Sequence, residues 1–217
     1  MTRTTVIFDF GGVITSSPFE AFNRMEAERG LPHNLVRRIN AANPDGNAWA
    51  LFERAEIDAA RFDSLFAEEA AALGHDLPGR DVLALLVGDV RPRMVAALDW
   101  LKANGYRIGC ITNNVPSSKG ASNTDRLPEI AAIMARFDHV VESSKVGIRK
   151  PDPAIYLMAC EALDVTPTEC VYLDDLGINC KPAAALGMTA IKVTSGDQAL
   201  ADLEVALGLA PGTLPAA

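Results

Sequence analysis

Two kinds of hydrophobic period divide this chain. Thr5-Val6-Ile7-Phe8 is an unbroken β-branched and aromatic run that ends at Asp9 and breaks into Gly11-Gly12. Such a run reads as a strand buried on both faces. From Arg91 onward, helical and strand-like stretches alternate. The pattern predicts helices over 92–104, near 127–136, over 153–163 and over 179–186. It predicts strands over 106–112, 139–141, 170–173 and 189–193, with a final helix after the last. Strand–helix alternation implies an α/β fold, a parallel sheet with helices on both faces.

Residues 18–88 carry a different pattern. Phe19, Phe22, Met25 and Ala27, then Phe62, Leu65, Phe66, Ala70 and Leu73, recur at helical spacing. Strand-like runs are scarce, and Gly30, Pro32, Pro44, Gly46, Gly74 and Pro78 cut the segment into short helices. One more helical layer of the core would have this pattern. A separate helical unit explains it better, because the segment is long and leaves directly after the Asp9 turn. The expected division is a core of residues 1–15 and 90–210 with a helical cap of residues 16–89. A polar loop, Ser117 to Thr124, follows the second strand and either touches ligand or is simply solvated. The tail from Ala210 to Ala217 is expected to fray.

Composition narrows the options. The 217 residues are 49% hydrophobic, enough for one α/β domain with an insertion. No stretch approaches the ~18 apolar residues of a membrane span, and the N-terminus enters a strand without signal-peptide features. The expectation is a cytoplasmic protein with no membrane partner. A net charge of −8 disfavours nucleic acid as a partner. An anionic ligand then needs local compensation from a lysine, a metal or backbone N–H groups. Cys110, Cys160, Cys170 and Cys180 form no CxxC and have no histidine at ligand spacing, so they read as reduced, mostly buried thiols. Oligomeric state is open between monomer and homodimer.

In open α/β sheets, ligands sit beyond the carboxyl ends of the strands. Four polar groups fall there: Asp9; Thr112-Asn113-Asn114; Lys150, ahead of a helix; and Asp174-Asp175. Any one acid among them could simply cap the next helix. Together they fit phosphoryl transfer through an aspartyl-phosphate. A carboxylate attacks phosphorus, a hydroxyl and an amide hold phosphoryl oxygens, and a lysine neutralises developing charge. Three carboxylates in one pocket would repel each other, which argues for a cation, and hard oxygen ligands suit Mg²⁺.

This order of motifs resembles the haloacid dehalogenase superfamily over nearly the whole chain. The stretch from Tyr172 to Ala183, followed by Leu186-Gly187-Met188, is closest to the phosphatase domain of soluble epoxide hydrolase and to the related domain fused to some acyl-CoA dehydrogenases. The resemblance implies a Rossmann-like core with an inserted helical cap, acting on a small phosphorylated substrate. By position, it implies Asp9 as nucleophile, Thr112 and Asn113 as phosphate-binding groups, and Lys150 as the stabilising lysine. It implies Asp9, Asp175 and the Gly11 carbonyl as Mg²⁺ ligands, with Asp174 orienting Lys150 or a metal-bound water.

Gly11 departs from that pattern. Phosphatases of the superfamily usually carry Asp there, as acid for the leaving group and then base for water. Glycine keeps the carbonyl and loses the proton shuttle, a loss of ~10²–10⁴-fold on ordinary phosphomonoesters. His33 and His75 are candidate replacements, although lone histidines are more often surface or packing residues. Two alternatives follow: a dehalogenase of the same superfamily, whose halide leaves without a proton, and a non-catalytic phosphate-binding homologue. The triplet Asp9-Phe10-Gly11 matches a kinase metal motif, but the expectation is of no nucleotide lobe ahead of residue 9, and the sequence shows no glycine-loop or catalytic-loop pattern to go with it.

Overall fold

The structure is a computed structural model that describes residues 3–86, 88–115 and 127–215. The polar loop from Ser117 to Thr124 lies outside the described residues. Five parallel strands, β1 (Thr5–Phe8), β2 (Arg107–Thr112), β3 (His139–Glu142), β4 (Cys170–Asp174) and β5 (Thr189–Lys192), form one sheet in the order β3-β2-β1-β4-β5. The central strand β1 is buried at every position, as its unbroken apolar run requires. Phe8 pairs with Cys110 of β2 and Leu173 of β4. Asp9 therefore emerges level with the ends of both neighbours, and its N–H donates to the Leu173 carbonyl at 2.8 Å. The strand order reverses between β1 and β4, and at such switch points the connections part and leave a crevice.

Helices cover both faces. Those following the insertion are α6 (Pro92–Ala103), α7 (Leu127–Met134), α8 (Ser143–Val146), α9 (Pro153–Ala162), α10 (Gly177–Ala185) and α11 (Gly196–Leu207). One apolar cluster joins Val6, Phe8, Leu98, Leu101 and Leu203 on one side of the sheet. A second joins Ile7, Ile111, Ile155, Tyr156 and Tyr172 on the other. Local signals set several boundaries: Asp152 accepts from the Ala154 N–H with Pro153 opening α9, and Ser195 accepts from the Gln198 N–H at the start of α11. α10 begins at Gly177, two residues before the pattern suggested, because Asp174 accepts from the Leu176 N–H and starts the turn early. The four-residue α8 was not legible from periodicity, since one turn shows no repeat.

The chain between β1 and β2 forms α1 (Pro18–Glu28), α2 (Leu35–Ala42), α3 (Ala48–Glu53), α4 (Ala59–Ala72) and α5 (Gly79–Leu83). These five helices have their own apolar cluster, built on Phe22, Leu35, Phe52, Phe62 and Phe66. Phe62 stacks on Phe52 and Phe66 with ring centroids 5.0 and 5.5 Å apart. Among the described residues the segment adds no strand to the sheet. It leaves and rejoins through a short antiparallel ribbon: Thr15 bridges Val90, the Ser16 N–H donates to the Asp89 carbonyl, and the Arg91 N–H donates to the Ile14 carbonyl. No helix among the described residues is long and apolar enough to cross a membrane. All four cysteines are free and buried, and the fold brings Cys160 and Cys170 to 3.9 Å, so their ten-residue spacing is a real neighbour relation.

The Phe62→Ala variant removes the ring at the centre of the inserted cluster. It should lose about 3–5 kcal/mol of stability, read as a lowered denaturant midpoint. A loss under ~1 kcal/mol would show that the helical insertion does not depend on this stack.

Candidate active site

The site forms where β1, β2 and β4 end. Phe10 to Thr15 turns back on itself, with the Ile14 and Thr15 N–H groups both donating to the Phe10 carbonyl. Gly12 has φ +83°, and a Cβ there would lie 2.4 Å from the Asp175 carboxylate. A residue without a side chain is therefore required for Asp175 to approach the first turn. Gly11 has no such constraint: a Cβ there would meet only Pro18 Cδ, at 3.9 Å.

Lys150 is the centre of the arrangement. Its side chain is 1% exposed, and its Nζ lies 2.8 Å from Asp9 Oδ1, 2.8 Å from Asp174 Oδ2 and 3.0 Å from the Ile111 carbonyl. Three acceptors match the three donors of an ammonium group. The ammonium is thus already engaged with carboxylates, and it acts first by holding Asp9 in place. Burial alone would lower its pKa, but Asp174 and Asp9 override burial and raise it.

Asp174 is fully buried and fully bonded. Oδ2 accepts from Lys150, from the Tyr172 hydroxyl at 2.6 Å and from Asn179 Nδ2; Oδ1 accepts from the Leu176 N–H and from Asn179 Nδ2. Such a carboxylate orients its neighbours. Asp175 differs: its one hydrogen bond among the described residues comes from the Ser17 hydroxyl, to Oδ2 at 2.9 Å. On Asp9, the Phe10 N–H and Lys150 both meet Oδ1, leaving Oδ2 without a partner among the described residues. Each of Asp9, Asp174 and Asp175 offers an oxygen within 4.8 Å of the others. Burial raises the carboxyl pKa of Asp9 well above its ordinary value, with Lys150 opposing and Asp174 adding to the rise. Burial also raises Asp175, against the Ser17 hydrogen bond.

Thr112 is buried at the end of β2, and its hydroxyl has no hydrogen bond to a described residue. Asn113 is placed differently from expectation. Its Oδ1 accepts from the Lys150 N–H at 2.8 Å and its Nδ2 donates to the Lys150 carbonyl at 3.0 Å. The carboxamide thus clamps the peptide of the lysine, which follows a backbone anchored elsewhere in the core, and is not free for an anion.

The candidate proton donors are not beside Gly11. Ser17 touches Asp175 at the first end of α1, and α1 runs 11 residues away from it, roughly 16 Å. His33 follows the far end, where Glu26 accepts from the Asn34 and Val36 N–H groups. His75 lies three residues past α4, its N–H donating to the Ala70 carbonyl, and leads toward α5, whose Asp81 pairs with Arg29 at that same far end.

Three residues that touch the acidic pair were missed from sequence. Ser17 before Pro18 reads as a helix cap, yet its hydroxyl caps nothing and bonds Asp175. Tyr172 had a usable signal: it lies two residues before Asp174 on the same strand face, and a buried phenol needs a partner. Asn179 likewise sits one helical turn from the acidic pair.

Comparisons with known proteins agree with this geometry. A sequence model of haloacid dehalogenase-like hydrolases matches residues 4–187. The chain is 33% identical, over 94% of its length, to acyl-CoA dehydrogenase family member 10 of Mus musculus, and 30% identical, over 96%, to bifunctional epoxide hydrolase 2 of that species. It spans only 19% and 39% of those two proteins. It is 30% identical to phosphatase MT3486 of Mycobacterium tuberculosis, across 91% of this chain and 90% of that one. Among solved structures, a HAD family enzyme from Bacteroides thetaiotaomicron, in complex with magnesium and inorganic phosphate, shares the fold. The TM-score is 0.59 at 18% identity, covering 89% of this chain and 95% of that one.

The raised carboxyl of Asp9 has a consequence for stability. The folded chain holds that proton more tightly than the unfolded chain does. Without added metal, stability should therefore fall as pH rises from the ordinary carboxylate value of 3.8 toward the higher folded value. The Asp9→Asn variant should lose that part of the fall and be the more stable protein at neutral pH. Melting temperatures across pH 4–8 check this, and parallel curves for the two proteins would contradict it.

Proposed function

This chain belongs to the haloacid dehalogenase-like hydrolases, and we propose that it is a Mg²⁺-dependent phosphatase or phosphotransferase acting on a small phosphorylated molecule through an aspartyl-phosphate at Asp9. The observation that carries the proposal is the buried ammonium of Lys150 between Asp9 and Asp174, with Asp175 beside them. Lys150 opposes the burial that raises the Asp9 carboxyl and turns Oδ1 toward itself, so Oδ2 faces the crevice as the nucleophile once Asp9 has lost its proton. Oδ2 forms a bond to phosphorus as the bond to the leaving oxygen breaks. The Thr112 hydroxyl and the main chain at Asn113 receive phosphoryl oxygens. Water then attacks the phosphorus and returns Asp9.

The donor set suits Mg²⁺: hard carboxylate oxygens on Asp9 and Asp175, with the Gly11 carbonyl as a third candidate ligand. Asp174 is already saturated and is better read as the residue that orients Lys150. Bound Mg²⁺ would offset the negative charge of the phosphate and of the clustered carboxylates. That cluster also favours the phosphatase reading over the dehalogenase one, since a metal-free site gains nothing from three acids. We further propose that residues 16–89 act as a cap on a core of residues 1–15 and 90–210, pivoting at the ribbon and excluding water when closed. Phosphatase-named relatives support the substrate class; the substrate itself is a matter for the screen below.

Isothermal titration should show Mg²⁺ binding that Asp175→Asn weakens by about tenfold or more. Binding unaltered in that variant removes Asp175 from the ligand set. Chemistry is tested with aryl, alkyl and acyl phosphates in Mg²⁺ and in EDTA. No acid protonates the leaving oxygen, so rates should fall steeply as its pKa rises. Gly11→Asp places a carboxyl where a side chain fits, and should raise turnover of alkyl phosphates by up to ~10²-fold while flattening the series. A flat series in the parent protein means that another group supplies the proton.

A further inference from the structure

Away from the ribbon and Ser17, the polar joints between the inserted helices and the core reduce to one side chain. Among the described residues, every hydrogen bond and ion pair between residues 18–86 and the chain outside 16–89 runs through Arg149. Its Nε lies 2.6 Å from Glu53 Oε2 on α3, and its Nη1 donates to the Pro44 carbonyl at 3.0 Å. Glu53 is buried and held from the other side by Trp49, whose indole N–H donates to Oε1 at 2.8 Å.

The two partners are anchored unequally. Arg149 immediately precedes Lys150, whose peptide is clamped at both ends by Asn113, and the Arg149 carbonyl accepts from the Asp152 N–H. Its guanidinium therefore stands on main chain that the core itself fixes. Glu53 stands on helices with their own apolar cluster, joined to the core covalently only through the ribbon. Beside the pair lies a cavity of about 150 Å³ between the Asp45–Arg54 side and the 147–152 segment, so apolar packing does not seal this edge.

We propose that Arg149 and Glu53 form the closing contact of the cap, a positioning pair that seats the helical unit over Asp9 and parts when the cap opens at the ribbon. The proposal rests on the cap reading above. It goes further in naming which contact holds the closed state and which of its two sides is the fixed one. A planar guanidinium serves here because it reaches two acceptors at once, a carboxylate on α3 and a carbonyl in the preceding loop. Because that guanidinium is one peptide from Lys150, closure sets the cap in register with the reacting groups. The charges are buried together when the cap is shut and hydrated separately when it is open, so the contact is reversible in a way that an apolar seam is not.

Hydrogen exchange followed by mass spectrometry tests this on the full chain without any substrate. The variants are Glu53→Gln, which keeps an acceptor for Trp49, and Arg149→Lys, which keeps the charge but cannot reach both acceptors. In Glu53→Gln, exchange should rise by about tenfold or more in segments 10–15 and 175–177, which adjoin the ribbon and the Ser17–Asp175 contact, as well as around 44–54. The helices of the inserted cluster should stay protected. Arg149→Lys should give the same pattern at smaller amplitude. A rise confined to 44–54 and 147–150, or no rise, overturns the proposal, because the pair is then a local contact. Loss of protection throughout the insertion in both variants also overturns it, since the pair would then be holding the fold. With p-nitrophenyl phosphate as probe, Glu53→Gln should raise KM by about tenfold while changing kcat less than ~3-fold. Turnover failing in every form counts against the phosphatase reading alone, because the exchange pattern is read independently of it.

Discussion

A lysine ammonium buried between two carboxylates is the constraint from which the rest of this structure follows. At 2.8 Å, each ion pair is worth roughly 6 kcal/mol at an effective dielectric near 20. Removing each ion from water costs several kcal/mol in return. The balance is favourable only if every lone pair and proton is used. The surroundings are built accordingly: the Ile111 carbonyl takes the third ammonium donor, and Tyr172, Asn179 and the Leu176 N–H complete Asp174. Asp9 is the member left incomplete, with one oxygen unengaged among the described residues. Within the Lys150–Asp9–Asp174 trio, the incompletely bonded member is where new bonds can form.

The fold is the device that makes such a cluster possible. Parallel strands end together, and the register Phe8–Leu173 sets Asp9 beside Asp174 without any contact between the side chains having to enforce it. Because the strand order reverses between β1 and β4, the connections after these two strands depart in different directions. The insertion leaves directly after β1 and rejoins through the ribbon beside this point. The acids lie where β1 and β4 end, and burial there is deep enough to raise the carboxyls of Asp9 and Asp175.

What was legible in sequence followed from local periodicity. Strands β1, β2 and β4 are short apolar runs with polar residues at their ends, so Asp9, Thr112 and Asp174-Asp175 could be placed at the site from pattern alone. Lys150 stood among these groups on its position ahead of a helix and on the charge an anionic ligand must meet; its burial between two carboxylates was not legible. The direction of a side chain was not legible. Asn113 follows a strand end as a phosphate-binding amide would, yet its carboxamide turns onto the Lys150 peptide 37 residues away. The Ser17–Asp175 and Glu53–Arg149 contacts span 158 and 96 residues. No period of 2 or 3.6 carries information over such distances.

The adjacent glycines in the first turn show how a structure separates two readings that a sequence merges. Both look like requirements of a tight turn. Gly12 is one: its φ of +83° and the Asp175 carboxylate at 2.4 Å from a hypothetical Cβ leave no room for any side chain. Gly11 is not, since its backbone lies outside the left-handed region and the nearest atom to a Cβ is 3.9 Å away. No steric reason accounts for a glycine there. In the function proposed above its effect is on chemistry: the turn keeps its shape and its carbonyl while position 11 places no carboxyl in the crevice. Under that proposal, a first turn without a carboxyl favours bonds whose leaving group departs readily as an anion. On this reasoning the limit on substrate range lies in the first turn, ahead of any selection made by the inserted helices.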